Sequence, residues 1–351
     1  MLNIDVLIAL ARKQGCSDIH LTPGQPVSLR KVGQLERTDM QVPPEEMTET
    51  ILDLLSERQK QDLKNGRDVD FSYMTANGGR QRVNVFRERQ NLCCAIRLLN
   101  ETIPTLDELH MPSVLKRLAL LPRGLILLTG PTGSGKSTTL AAMLDYINDH
   151  RQAHILTIED PIEYLHENRG CLIHQREVGD DVGSFAAALR SSLREDPDVI
   201  LVGEMRDYET ISAALTAAET GHLVLSTLHT IGAANTIDRI IDVFPAEGQH
   251  QVRSQLSAAL QGVITQQLLP AADGQHRLAA LEILTGNDAV RNLIRENKCH
   301  QIGSLMQTGA KEGMCTLSQD LARLVREGRI TREAALAVAP SADELRQFMQ
   351  I

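Results

Sequence analysis

The chain has no tryptophan, and its 5 phenylalanines and 4 tyrosines make up only 3% of 351 residues. So few aromatic rings offer poor footing for stacking the bases of a single nucleic-acid strand. A net positive field is also missing: 36 basic against 45 acidic residues leave a formal charge of −9. Generic nucleic-acid binding is therefore not expected, and only a local basic stripe would offer a route to it. No apolar run reaches the about 18 residues of a spanning helix; the longest candidate is cut by Pro122 and Arg123. The opening Met-Leu-Asn-Ile-Asp has no charged segment of an export signal, so a soluble, cytoplasmic protein is expected. No CxxC pair occurs among the 6 cysteines. Adjacent Cys93 and Cys94 would point to opposite faces of a strand, which suits neither a zinc site nor a disulfide. Reduced structural thiols are the expectation. Hydrophobic residues at 42% and charged residues at 23% are ordinary for a folded chain of two domains. No internal repeat is visible.

What is present centres on Gly124–Leu140, GLILLTGPTGSGKSTTL. An apolar strand, Leu125–Thr129, enters the loop Gly130-Pro131-Thr132-Gly133-Ser134-Gly135-Lys136-Ser137, and a helix-forming stretch leaves it. This is the phosphate-binding loop pattern in its strand–loop–helix context. Glycines let successive N–H groups turn inward on phosphates, and the helix presents its positive end to the same charge. The pattern assigns Lys136 to the β- and γ-phosphates of a nucleoside triphosphate and the Ser137 hydroxyl to Mg²⁺.

The first part of the chain reads as a small α+β unit. It has a helix over Ile4–Ala11, a strand over Val27–Val32, a helix over Pro44–Leu63 and a strand over Asp68–Tyr73. A turn at Asn77-Gly78-Gly79 leads to a strand pair, Arg82–Arg87 and Leu92–Arg97, joined around Gln90-Asn91. Residues 99–112, with Pro104 and Pro112, break the periodicity and read as a linker between a domain at 1–98 and one at 113–351. Beyond it, strands at Leu125–Thr129, His154–Ile158, Val199–Val202 and Leu223–Thr227 alternate with helices such as Lys136–Asn148 and Phe185–Glu195. That pattern implies a mostly parallel sheet covered on both faces. Short helices follow Glu282.

Phosphoryl transfer needs a carboxylate at the end of a strand beside the loop. Two segments supply one: Ile155–Glu163, with Glu159 and Glu163, and Val199–Glu204. In the second, Gly203 stands where an Asp commonly holds the metal, so Glu204 works differently or shares the task with the first segment. His229 ends the strand 223–227 at its carboxyl side, where ligands bind in open α/β sheets; His222 begins it. Taken alone, a buried, hydrogen-bonded core role is the better reading of such an imidazole. Arg80, Arg82, Arg87, Arg89 and Arg97 are dense for two strands. Periodicity leaves open both a solvated face and arginines given in trans to a neighbour's γ-phosphate.

Cys16–Leu21 (CSDIHL), Arg82–Phe86 (RVNVF), Gly130–Thr138, Thr157–Glu163, His174–Gly179, Leu193–Glu204, Thr220–Thr230 and Ala289–Glu296 (AVRNLIRE) occur in this order. Together they resemble the PilT-type retraction ATPases of the secretion ATPase superfamily, over essentially the whole chain. The resemblance implies a RecA-like P-loop ATPase domain behind an N-terminal PAS-like domain, with ATP and Mg²⁺ as cofactors. It assigns Thr132, Gly133, Ser134, Gly135, Lys136, Ser137 and Thr138 to the phosphates, Glu159 to Glu163 to an acidic box, and Glu204 to catalysis. It further assigns His222 and His229 to a histidine box near the γ-phosphate, and Arg82 and Arg97, less clearly Arg87, to trans-acting arginines. It also implies a homohexamer at the cytoplasmic face of the inner membrane, retracting a type IV pilus against a membrane platform protein, with a PilU-like paralogue as a further partner and no nucleic acid. Rival readings are an accessory ATPase of the PilU type, a type II secretion or pseudopilus ATPase, a RecA-like nucleic-acid translocase and a non-hydrolysing nucleotide sensor.

Overall fold

The computed structural model describes residues 2–31, 33–76, 78–99 and 102–350. Val32, Asn77, Asn100 and Glu101, which fall in the expected strand 27–32, the expected turn at 77–79 and the expected linker, lie outside the described residues. The chain divides into two compact units, Met1–Thr102 with Pro161–Leu165, and Ile103–Asp160 with His166–Ile351.

In the first unit, β1 (Cys16–Leu21), β2 (Ser28–Lys31), β3 (Gln34–Arg37), β4 (Val69–Met74), β5 (Arg80–Glu88) and β6 (Asn91–Leu98) form one sheet in the order β3-β2-β1-β6-β5-β4. Every pairing in it is antiparallel. Strand alternation divides the two faces. Val83, Val85 and Ile96 turn inward to a core shared with Leu7 and Ile8 of the helix Ile4–Lys13 and with Met47 and Ile51 of the helix Pro44–Asp53. The helix expected over 44–63 is two helices, Pro44–Asp53 and Glu57–Lys64. Ser56 caps the second through Gln59 N–H, and the Gln59 side chain returns to Ser56 N–H at 2.8 Å. That local capping box overrides the helical periodicity running through it. The β5–β6 turn lies at Arg89-Gln90, one residue earlier than expected, with both residues left-handed at φ 48 and 72. A two-residue hairpin of matching twist demands positive φ at both positions, whatever the residue type.

In the second unit, β7 (Gly124–Thr129), β8 (His154–Glu159), β9 (Leu172–Glu177), β10 (Val199–Val202), β11 (Leu223–Leu228), β12 (Leu260–Pro270) and β13 (Arg277–Thr285) form a sheet ordered β13-β12-β7-β11-β10-β8-β9. All neighbours are parallel except the β12–β13 pair. The phosphate-loop strand is thus central, and its carboxyl end is flanked by β11 and β12. One face is covered by Tyr208–Glu219, Ala233–Asp242 and Gln249–Ala259, whose Ile211, Leu215, Ile237 and Leu256 meet Leu125 and Leu127 of β7. Opposite, Leu115, Leu144 and Ile147 meet Ile126 and Leu128. The C-terminal helices Leu317–Arg326, Arg332–Val338 and Ala342–Gln350 share a separate core with Leu269, Leu278 and Ala280 at the far end of the β12–β13 hairpin.

The stretch expected as linker differs in the structure. Leu106 and Met111 are buried together with Val114, Leu115 and Ile126, so the second unit begins at Ile103 rather than at Ser113. Prolines 104 and 112 break helical periodicity without freeing the segment from the core. Leu106→Ala is therefore expected to cost about 2–5 kcal/mol in chemical denaturation, the range for a buried leucine. A loss under about 0.5 kcal/mol, typical of surface positions, would return 103–112 to the status of a connector.

Candidate nucleotide site

Gly130 leaves β7 at φ 135, and Gly133 and Gly135 follow at φ 78 and 88, before the helix Lys136–His150 begins. Only glycine adopts such angles freely; at Gly130 the backbone behind it also forbids a side chain, and at Gly135 one would have to displace the Gln266 amide. A Cβ on Gly130 would lie 2.3 Å from the Gln266 carbonyl, and one on Gly135 2.8 Å from Gln266 Nε2. Strand β12 therefore runs directly behind the loop. Lys136 is buried, and its ammonium donates to the carbonyls of Gly130 at 2.8 Å and Pro131 at 3.1 Å. These bonds hold its charge at the loop's mouth. Ser137 and Thr132 are exposed, Thr138 half-exposed and Ser134 buried.

Beside the loop, β10 ends in Gly203-Glu204. Gly203 N–H donates to Ile158 O at 2.8 Å, and Thr227 Oγ1 donates to Gly203 O at 2.6 Å. A Cβ at 203 would lie 3.3 Å from Ile158 O and 3.4 Å from Glu159 Cα. The strand ends approach closely here, so a side chain at 203 would require its neighbours to give by a few tenths of an ångström. The adjoining Glu204 carboxylate meets His229 Nε2 at 3.2 Å and Arg206 at 2.7 Å. His229 Nδ1 in turn lies 3.5 Å from Thr132 Oγ1 of the phosphate loop. Burial raises the Glu204 pKa, but Arg206 and His229 together outweigh it and hold the carboxyl below its ordinary range. At neutral pH Glu204 is therefore an anion.

The structure brings Glu204, His229 and the phosphate loop together; His222 is separate. It precedes β11, and its carbonyl accepts from Gly124 N–H, at the amino end of β7. Because β7 and β11 are parallel and in register from Gly124↔Leu223 to Thr129↔Leu228, His222 lies a full strand away, on the order of 17–20 Å from the loop edge. Its Nδ1 bonds Ala217 O at 2.9 Å, ending the preceding helix. The expected place of His222 near the γ-phosphate is thus corrected for this subunit. Glu159, at the carboxyl end of β8, accepts from Thr157 Oγ1 at 2.7 Å and from Gln175 Nε2 at 3.2 Å. Glu163 is half-buried between buried Ile162 and Tyr164, in the segment grouped with the first unit.

Within that first unit, Arg82 on β5 and Arg97 on β6 are direct cross-strand partners. Like charges in that position repel. Asp18, opposite Arg97 on β1, accepts from Arg97 Nε at 3.0 Å, and Asp70 lies 3.7 Å from Arg82 Nε. Even so, the side chains remain 65% and 43% exposed. Arg87 turns to the opposite face, its Nε 3.5 Å from Leu63 O.

The residues fit a nucleotide's phosphates on two observations: left-handed glycines before a helix N-terminus, and a lysine ammonium anchored beside them. For Mg²⁺, the hydroxyl of Ser137 and the carboxylates of Glu204 and Glu159 are hard oxygen donors of the suitable kind. Among the described residues no group of three or more His, Cys, Asp or Glu could hold a metal ion. A site completed by substrate phosphates does not require one.

The sequence reading missed Gln266. Only 2% exposed, it donates through Nε2 to Ser134 O at 2.8 Å and accepts from Thr139 Oγ1 at 2.9 Å. One amide thus spans the loop and the first turn of its helix. The only hint in sequence is a pair of polar residues, Gln266-Gln267, inside an apolar run, and nothing there indicates which element they face. Gln266→Ala leaves two polar groups unpaired behind the loop. At about 1–2 kcal/mol for the pair, nucleotide affinity should fall about five- to thirtyfold. An unchanged dissociation constant by nucleotide titration would show that the loop holds its shape without Gln266.

Three comparisons bear on this geometry. Residues 3–347 match the model of the family described as type II/IV secretion system protein. The chain is 51% identical to the type IV pilus retraction ATPase PilT of Pseudomonas aeruginosa, over 95% of this chain and 97% of that one. It is 41% identical to the type IV pilus ATPase PilU of the same organism, over 100% of this chain and 92% of the other. A crystal structure of the pilus retraction motor PilT with bound ADP superposes with a TM-score of 0.93 at 48% identity, covering 99% of this chain and all of that one. With its RecA-like sheet, phosphate loop and N-terminal α+β unit, the chain belongs to the type II/IV secretion system family, among the PilT-like ATPases.

Proposed function

We propose that this chain is the ATP-hydrolysing motor subunit that retracts type IV pili, working as a homohexamer on the cytoplasmic face of the inner membrane. The observation that carries the reading is the contact series Thr132–His229–Glu204 on the rim of an intact phosphate loop. Likeness to PilT over nearly the full length of both chains supports it, and the lower identity to PilU favours retraction over the accessory role. The motor's load is the pilus, through an inner-membrane platform protein, with a PilU-like paralogue as a second partner. Among the described residues no helix is long and apolar enough to cross a membrane, in keeping with a peripheral engine.

In this reading the loop amides from Thr132 to Thr138 and the Lys136 ammonium hold the β- and γ-phosphates. The Ser137 hydroxyl would hold Mg²⁺, which would supply charge neutralisation at the phosphates. Water attacks the γ-phosphorus, and the bond to the β–γ bridging oxygen breaks. Because the transition state is loose, the water is scarcely deprotonated when attack begins. A carboxylate held below its ordinary pKa is a weak base, so Glu204 serves first to orient that water and takes its proton late. His229, between Glu204 and Thr132, reports whether the γ-phosphate is present. Glu159 and Glu163 are assigned to an acidic box that assists hydrolysis, and Arg82 and Arg97 reach the nucleotide of a neighbouring subunit.

Glu204→Gln keeps size and loses charge. It should bind ATP normally and hydrolyse it about 10²–10³-fold more slowly, the cost of removing one such electrostatic group. Near-normal turnover in a steady-state assay would transfer the catalytic role to Glu159 or Glu163. DNA-stimulated turnover of the wild type would favour the translocase reading instead.

If Arg82 and Arg97 act in trans, Arg97→Ala should bind nucleotide but lose about 10³-fold or more in rate, as arginine fingers do. Mixed with Lys136→Ala subunits, it should regain activity, because an intact loop then meets an intact arginine. A mixture as inactive as both parents, with subunit exchange confirmed by mass, would limit these arginines to their own subunit.

A further inference from the structure

The helix Ala233–Asp242 begins four residues after His229 and has no cap of its own. Its N-cap is Gly232, at φ 90, which carries no side chain to accept the first N–H groups. The missing acceptor comes from another element. Glu282, on β13, accepts from Ala233 N–H at 2.7 Å through Oε1. One carboxylate therefore caps a helix 49 residues away in sequence.

Its place in the sheet carries the consequence. Glu282 pairs with Thr265 on β12, Thr265 with Thr129 on β7, and Thr129 with Leu228 on β11. The Thr129 and Thr265 hydroxyls bond at 2.8 Å. This row lies one residue before Gly130 of the phosphate loop and one before His229. Glu282 is thus the polar end of the last layer of sheet beneath the site, and the loop 229–232 is held between Leu228 at one end and Glu282 at the other. Thr230 adds only a local tie, its Oγ1 2.7 Å from Thr236 Oγ1. A helix that lacks a local cap frays at its first turn, and fraying here would release His229 from Glu204 and Thr132.

We infer that Glu282 is a positioning residue for hydrolysis: by capping Ala233–Asp242 from across the sheet it fixes the His229 loop. The inference rests on the ATPase reading of the site for its kinetic consequence, but not for its structural one. Glu282→Gln keeps an oxygen that accepts an N–H, whereas Glu282→Ala keeps none.

The test combines steady-state kinetics with amide hydrogen exchange on the full chain. Glu282→Ala should lower kcat about tenfold, with KM for ATP changed less than about twofold, since the loop's own phosphate contacts are untouched. Exchange should speed about tenfold or more in peptides covering 231–236, with the phosphate loop unaffected. Glu282→Gln should restore both. Three results overturn the proposal: unchanged kcat in the alanine variant, exchange that rises uniformly across the unit, or a glutamine variant no better than alanine. If Glu282→Ala fails to fold, Glu282→Gln with wild-type kinetics and exchange supports capping, and a glutamine variant with faster exchange at 231–236 opposes it. A wild type without ATPase activity would sink the functional reading, while the exchange measurement would still decide whether Glu282 holds the loop.

Discussion

The close passage of β12 behind the phosphate loop is the constraint on which the larger unit depends. Phosphate binding requires a loop whose N–H groups converge on one point, a conformation that glycine permits but does not enforce. Here rigidity is added from outside the loop. Gln266 ties Ser134 O to the Thr139 hydroxyl, and its own backbone and amide occupy the space that side chains on Gly130 and Gly135 would need. Freedom at the glycines and restraint from β12 are thus one arrangement. It exists because β12 lies parallel beside β7, in register through Thr265↔Thr129, before turning back as the antiparallel β13.

The same strand-end logic sets the electrostatics. Parallel strands deliver their carboxyl ends to one edge, so β10 and β11 bring Glu204 and His229 within contact of a loop from β7. Arg206 and His229 hold Glu204 ionised against the cost of its burial. A depressed carboxyl pKa contributes stability above the ordinary carboxylate range, and the contribution is lost as pH falls through the depressed value. The site is therefore preformed as an anion at neutral pH, and rearrangement around it depends on groups that can exchange partners with it. Arg206, largely exposed, is free to leave; His229, tied to the loop that precedes a helix, is not.

What could be read in sequence followed the strength of local signals. The glycine pattern at 130–136 and the apolar strands 125–129, 199–202 and 223–228 are short, dense and flanked by clear punctuation. The strands β9, β12 and β13 were not legible. Leu172–Glu177 is a polar edge strand, and the β12–β13 hairpin buries polar residues such as Thr265 and Gln266 whose partners are distant in sequence. Gln266 and Glu282 matter through elements more than 40 residues away, and no periodicity encodes that. His222 failed for the opposite reason: it is close to His229 in sequence, but six strand residues separate them, so nearness along the chain became distance across the sheet.

The first unit poses its own energetic problem, and its solution bears on assembly. Two guanidinium groups directly opposed across antiparallel strands repel, and nothing in the fold of that unit requires arginine at either position, since both point away from its core. Asp18 and Asp70 offset the repulsion only in part. At the 3.7 Å between Arg82 and Asp70, with the arginine 43% exposed, an ion pair is worth at most about 1 kcal/mol. Arginine pairs of this kind match the geometry of an anion with several oxygens, which accepts from both forks at once. Asp18 orients Arg97 within its own subunit. If, as proposed, Arg82 and Arg97 act in trans, a neighbouring subunit's triphosphate would relieve that repulsion, and nucleotide binding and ring formation would favour each other through the same two side chains.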